Sequence, residues 1–325
     1  MSWRLKQTNT PRFSRLCQGP VFVILAILCL LFVGCSAASQ TLPPDAEARR
    51  PARFSKGLLW RITAGPSPGQ EAVHSYLFGT IHSEDPRVIQ LPPVVQRAFD
   101  GSTSFCAELP FDQSTLAQLG QGMVYTDGRN LRSILGGDLF ERVVPLMAEH
   151  GVPESALSHL KPWAIFLTLS MPKPQTGLFL DAILYKMAQQ QGKSVCGLET
   201  AAEQIEIFDR IPLADQVALV RETVNQYHSL PQLFASLLER YLARDLAGLV
   251  MLTEANSPAR PEEKRIYETF LHRLLNGRNT RMVDRLVPRL QTGSVFIAVG
   301  ALHLPGDEGI LHLLQNRGYQ VSADY

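Results

Sequence analysis

Apolar and polar positions change their period twice along this chain. Leu58 to Ile62 is a short apolar run and His74 to Phe78 alternates weakly. With the turn residues Pro66-Ser67-Pro68-Gly69 between them, they predict a hairpin. Ser104 to Leu109, Ser194 to Glu199, Val295 to Val299 and Tyr319 to Ala323 read as further strands. Between them the apolar residues recur at helical spacing. Leu91 to Phe99 is a short helix, and Leu131, Leu135, Phe140, Val143, Val144 and Met147 mark a longer helical region. Lys161-Pro162-Trp163 opens another helix, with proline in its first turn. Leu178 to Gln190 is helical again, and Leu213 to Ala255 is helical throughout. After Ser257-Pro258-Ala259-Arg260-Pro261, helices are predicted over Glu262 to Leu275, Arg278 to Leu290 and Glu308 to Gln315. Strands alternate with helices at both ends, and a helical block stands between. This predicts an α/β domain over 57–325: a mixed, partly parallel central sheet with flanking helices and an inserted helical subdomain at about 113–290.

The first residues follow another rule. Arg4, Lys6, Arg12 and Arg15 precede an unbroken apolar run from Val21 to Val33, followed by Gly34-Cys35-Ser36-Ala37-Ala38. A spanning helix needs about 20 apolar residues, so the run is short for a bilayer. A basic head, a short apolar stretch and small residues after it form an export signal over 1–35. Phe32-Val33-Gly34-Cys35 resembles a bacterial lipobox, which predicts lipidation of Cys35 and an anchored mature chain. Ser36 after the cysteine resembles outer-membrane sorting, to the periplasmic face. Residues 36–56, rich in alanine, proline and charge, read as a flexible tether.

The 325 residues carry a formal net charge of +1 and no basic block, so nucleic-acid binding has no electrostatic footprint. Of the five cysteines, only Cys106 and Cys196 lie in the expected domain. They are either paired, which export permits, or buried as thiols. No Gly-x-Ser-x-Gly elbow and no glycine-rich phosphate loop is present.

The candidate chemistry begins with an echo. Leu77-Phe78-Gly79-Thr80-Ile81-His82 and Val299-Gly300-Ala301-Leu302-His303 each run from an apolar strand through Gly-x-x-His. Glycine three residues before each histidine is expected to let the backbone turn sharply after the strand without a Cβ clash. Two other strands end in carboxylates, Glu108 and Glu199. In open α/β sheets the carboxyl edge of the strands is where ligands bind. Neutral imidazoles and carboxylates suit borderline divalent ions, so His82, His303 and Glu108 are the candidate metal ligands. Glu108 and Glu199 are the candidate general bases. Arg278 is expected either to neutralise Glu199 or to hold a substrate carboxylate through its planar fork. Asn279 reads as a helix N-cap, and Asp181 as a local cap or pair. His74 reads as a strand-surface residue, and His150, His159, His228, His272 and His312 as surface residues.

Taken in order, these segments resemble the TraB/GumN family, which includes the Tiki proteases. They are joined by Ala107-Glu108-Leu109, Gly197-Leu198-Glu199-Thr200, Arg278-Asn279-Thr280-Arg281-Met282 and Gly309-Ile310-Leu311-His312-Leu313-Leu314. The resemblance runs from about Leu58 to the C-terminus. It implies a metal-dependent hydrolase acting on peptide bonds with manganese or cobalt, zinc being a further option. It also implies kinship with erythromycin esterase and haem-binding ChaN-like folds. Carried over, the site is His82, His303, Glu108 and Glu199, with Arg278 and Asn279 beside them. Phe179-Leu180-Asp181 stands where the family has Gly-Ile-Asp. The expected function is an exported, membrane-tethered metallopeptidase with a peptide or protein substrate. The alternative is an envelope lipoprotein that binds haem or another small molecule without turnover.

Overall fold

The computed structural model describes residues 54–64 and 74–325. The export signal, Cys35, nearly all of the tether and the Pro66–Gly69 turn lie outside the described residues.

Six strands form one sheet: β1 (Leu59–Thr63), β2 (His74–Thr80), β3 (Ser104–Ala107), β4 (Ser194–Gly197), β5 (Val295–Gly300) and β6 (Gln320–Ala323). Their order is β4-β3-β5-β2-β1-β6. The four strands from β4 to β2 are mutually parallel, and β1 pairs antiparallel with both β2 and β6. The fold is therefore α/β, with a mixed, mostly parallel sheet. Central β5 is buried at every residue, as its unbroken apolar run requires of a parallel strand covered on both faces. Phe296 of β5 packs edge-on against Phe99 at 5.2 Å and lies near Phe105 of β3. Phe99 comes from the helix Pro93–Gly101, which turns Val95, Ala98 and Phe99 inward.

Between β3 and β5 the chain is helical, interrupted by β4. The helix Pro162–Leu169 is buried at all eight residues and forms the centre of this part. Trp163 stacks on Phe208 at 5.0 Å, and Phe166 meets Phe270 at 5.6 Å. The stretch from Leu213 to Ala255, predicted helical throughout, is three helices: Leu213–Gln226, Leu230–Leu242 and Leu246–Ala255. A 3-10 turn at Tyr227–Ser229 makes the first break. At the second, Arg244 adopts φ 59°, and the Asp245 carboxylate caps the next helix by accepting from Gly248 N at 2.8 Å. Such side-chain capping stops one helix and starts another without disturbing the apolar periodicity, so the pattern alone runs through it. Among the described residues no helix is long and apolar enough to cross a membrane.

Candidate active site

The parallel strands deliver four polar side chains to one edge of the sheet. In spatial order from β4 to β2 these are Glu199, Glu108, His303 and His82, each just past its strand's C-terminal residue. All four are buried. An ionised group costs several kcal/mol to bury unless it is paired, and Arg278 supplies the pairing. This residue lies in the first turn of the helix Asn276–Leu290 and is only 1% exposed. Its Nε donates to both Glu199 oxygens at 3.0 and 2.8 Å. Its Nη2 donates to Glu108 Oε2 at 2.6 Å and also to Glu199. Nη1 donates to the Leu274 carbonyl at 3.1 Å. Of the two roles expected for Arg278, the geometry holds the pairing with Glu199 and adds Glu108.

Glu108 is caught between opposing influences. Burial raises its carboxyl, Arg278 lowers it, and neighbouring Glu199 raises it again, leaving it pushed up to about 7. Its Oε1 accepts from Gly300 N at 2.6 Å, on the second Gly-x-x-His segment. Glu199 also accepts from Gln204 Nε2 at 3.1 Å, so both of its oxygens are engaged.

His303 sits in the 3-10 turn Ala301–His303 after β5, fully buried. Asn279 fixes its tautomer. The Asn279 amide donates through Nδ2 to the Glu308 carbonyl at 2.8 Å, which leaves Oδ1 facing His303 Nδ1 at 2.5 Å. An amide oxygen only accepts, so Nδ1 carries the proton and the Nε2 lone pair turns inward. That lone pair lies 3.4 Å from Arg278 Nη1 and 3.9 Å from Glu108 Oε1. Burial, followed by the charge of Arg278, holds the imidazole well below its ordinary pKa and therefore neutral. The expected capping role of Asn279 does not hold. The helix begins three residues earlier, at Asn276, so Asn279 is inside it and uses its side chain on His303.

His82 lies flat against Phe179, with ring centroids 4.6 Å apart. Its Nδ1 is 3.5 Å from Asp181 Oδ2. Asp181, in the first turn of the helix Leu180–Gln190, accepts from the Thr80 hydroxyl through Oδ1 at 2.7 Å. Its other oxygen is buried and makes no hydrogen bond.

Of the two parts of the glycine expectation, the Cβ clash holds at Gly79 and the special backbone conformation does not. Neither motif glycine adopts positive φ, and Gly300 has ordinary extended angles. Gly79 instead permits close approach. A Cβ there would sit 2.7 Å from Leu304 Cδ1 and 3.1 Å from Ala301 Cα. The first motif thus packs directly on the second.

A further expectation is corrected at His150. It is buried rather than on the surface, and its Nε2 lies 3.0 Å from the Tyr227 hydroxyl. Cys106 and Cys196, left open as a pair or as thiols, form a disulfide between registered residues of β3 and β4.

The donors suit a divalent ion in kind: a neutral imidazole with a fixed inward lone pair, a carboxylate beside it, and a buried carboxylate oxygen without a hydrogen bond. They stand as two pairs, His303 with Glu108 and His82 with Asp181. Among the described residues, no group of three or more His, Cys, Asp or Glu closes around one point.

The same segments are matched by a family model. The model for the TraB/PrgY/gumN family covers residues 58–323, which includes the whole sheet, His82, Glu108, Asp181, Glu199, Arg278, Asn279 and His303. The chain belongs to the TraB/PrgY/gumN family. Among curated relatives, Metalloprotease TIKI2 of Xenopus tropicalis is 25% identical over 314 residues, covering 81% of this chain and 59% of that protein. Metalloprotease TIKI2 of Danio rerio is 24% identical, covering 91% of this chain and 67% of its own length. Metalloprotease TIKI1 of Homo sapiens is 24% identical, covering 92% and 68%. The chain thus spans about three fifths to two thirds of these relatives. No solved structure matches it.

Two features of the site lay beyond sequence reasoning. Phe179 and Gln204 each brace a site residue through contacts that no motif encodes. Gln204 had one available signal: it lies five residues after Glu199, in the first turns of the helix that follows.

Proposed function

We propose that this family member is an exported, membrane-tethered peptidase that depends on a divalent metal ion. The observation that carries the reading is the tautomer of His303, whose Nε2 lone pair is presented inward beside a carboxylate. The relatives' description as metalloproteases supports the reaction class. His82 and His303 would hold the ion, manganese or cobalt in first place and zinc as a further option, with Glu108 beside it as the general base. The ion supplies Lewis acidity toward water and the scissile carbonyl.

The chain's own residues do the rest. Glu108, with a carboxyl pushed up to about 7, is suited to exchange protons near neutrality. It takes a proton from the attacking water as the water oxygen bonds to the carbonyl carbon. The proton then passes to the departing nitrogen as the C–N bond breaks. Arg278 keeps the buried Glu199 and Glu108 charges compensated. Asn279 keeps the His303 ring in one tautomer. Export and lipidation at Cys35 are supported by the basic head and apolar run, and by a disulfide of the kind that persists in oxidising compartments.

The test is metal content of the full chain in detergent, after loading with manganese, cobalt or zinc and desalting. Wild type should retain about one ion per chain, and the His82→Ala, His303→Ala double variant none. Equal content in the two proteins overturns the metal assignment. Cleavage of a peptide library by wild type and not by Glu108→Gln tests the reaction itself.

A further inference from the structure

A cavity of about 350 Å³ opens beside His82 and is lined by neither Arg278 nor its carboxylates. Its size falls in the range of small-ligand sites. His82 and its stacking partner Phe179 form part of the wall, and Ile81, Met171, Phe234 and Leu238 supply apolar surface. Charged groups also line it, but each is already satisfied. The Glu84 carboxylate accepts from the Gln175, Thr176 and Gly177 amides at 3.1, 2.7 and 3.0 Å, and from the Thr176 hydroxyl at 2.8 Å. Asp85 is paired with Arg87, and Lys173 with Glu149. His150 is bonded to Tyr227, and burial pushes its pKa down to about 4, so it is neutral near pH 7. The cavity therefore offers apolar surface, and Glu84, the carboxylate in its wall with no cationic partner, already has both oxygens engaged by hydrogen bonds. An anionic guest would lose its hydration without gaining a partner, and a cationic one would meet a carboxylate whose oxygens are already taken.

The rim points the same way. Among the described residues, two large hydrophobic side chains are exposed, Leu178 and Leu213. Leu178, at 48% exposure, lies between Gly177 and Phe179, both of which line the cavity. Glu84 fixes this stretch by its four hydrogen bonds, so Leu178 is held out on an ordered rim. Isolated exposed leucines are ordinary, but one held beside an apolar cavity adjoining a candidate metal-ligand histidine extends that cavity's apolar surface outward.

We propose that this cavity is the specificity pocket of the site and receives an uncharged apolar side chain of a peptide substrate, of leucine, methionine or phenylalanine size. The proposal rests on the peptidase reading for what the guest is attached to. The cavity's own chemistry sets what the guest is.

Ala235 gives the test. It lines the cavity and is exposed, so a larger side chain there fills the pocket without overpacking the core. The full chain in detergent, as wild type and as Ala235→Trp, would be compared on a peptide library varied at one position at a time. At one position wild type should favour leucine, methionine or phenylalanine over aspartate and lysine. In Ala235→Trp the ratio of kcat/KM for phenylalanine over alanine at that position should fall at least tenfold. Leu238→Ala, which enlarges the cavity, should shift preference toward the larger side chains. A wild-type preference for charged residues, or ratios unchanged in both variants, overturns the pocket.

A binding readout separates this proposal from the reaction. Acetyl-phenylalaninamide is titrated and followed by ligand-observed NMR. Binding to wild type that is lost in Ala235→Trp, with no peptide cleaved by either protein, supports the pocket and counts against the peptidase reading. Equal binding to both proteins, or to neither, overturns the pocket whether or not peptides are cleaved.

Discussion

Arg278 is buried between two carboxylates, so its removal would not cost one contact but would strand two charges. Breaking a buried ion pair by deleting one partner typically costs about 3–5 kcal/mol. Arg278→Leu is expected to lose at least that much stability in chemical denaturation. Arg278→Lys keeps the charge but not the planar fork that serves both Glu199 and Glu108. It should fall between wild type and Arg278→Leu, and a lysine variant as stable as wild type would contradict this. Asn279 carries a second expectation. Asn279→Ala removes the acceptor that fixes the His303 ring. Nitrogen NMR shifts of His303 should then report a mixture of tautomers where wild type shows only the Nδ1–H form. An unchanged single tautomer would show that Asn279 does not set it.

At the scale of elements, the site depends on strands packed closely enough to bring their ends together. Gly79→Ala would press a methyl group against Leu304 and the Ala301 backbone. Leu304 Cδ1 can swing aside but the Ala301 Cα cannot, and overpacking of this kind costs about 1–3 kcal/mol. A lowered melting temperature with the circular dichroism spectrum retained is the expected outcome. The disulfide between β3 and β4 joins the two strands that carry Glu108 and Glu199. Replacing both cysteines by serine should cost about 2–5 kcal/mol, measured by denaturant titration. Equal stability under reducing and oxidising conditions would contradict this.

These same strands show what a sequence can reveal. The Gly-x-x-His echo, the strand-end glutamates and the alternation of strands with helices at both ends are local patterns, and the parallel order of the sheet makes them meet. The sequence offers Arg278 either Glu199 or a substrate carboxylate as its partner. Its twofold pairing was not legible, because Glu108 and Glu199 lie 170 and 79 residues away. Asn279 looked like a cap because caps and buried amides use the same residue type. His150 looked superficial because its partner Tyr227 lies 77 residues on. The close approach of Gly79 to Ala301 and Leu304 is defined only by the segment that follows β5, far along the chain.

The whole molecule responds to acid through groups buried in their neutral forms. His150 titrates at about 4 in the fold, against 6.5 for an ordinary histidine. Below pH 6.5 the unfolded chain takes up the proton that the fold refuses. The contribution of His150 is therefore fully present above 6.5 and is lost as pH falls toward about 4. His303 acts with the same sign. Glu108 acts with the opposite one. Its carboxyl is raised from 4.5 to about 7, so its contribution is present below 4.5 and is lost as pH rises through 7. Between 4.5 and 6.5 the two tendencies oppose each other, and the wild-type profile alone does not separate them. The comparison with His150→Phe does. The stability of the variant relative to wild type should rise as pH falls from 7 to 5, by up to about 1.4 kcal/mol per pH unit. Parallel profiles would overturn the assignment.

The Cys106–Cys196 bond, 90 residues apart in sequence, also turns the stretch between the two cysteines into a closed ring. The ring includes the fully buried helix Pro162–Leu169 and the exposed stretch that Glu84 fixes beside the cavity. One backbone cut anywhere within it opens the ring without releasing a piece. Such a chain would keep its full mass on a non-reducing gel and separate into two fragments only after the disulfide is reduced. In a protein proposed to cut peptide bonds, damage to this stretch would pass unseen unless reductant were added.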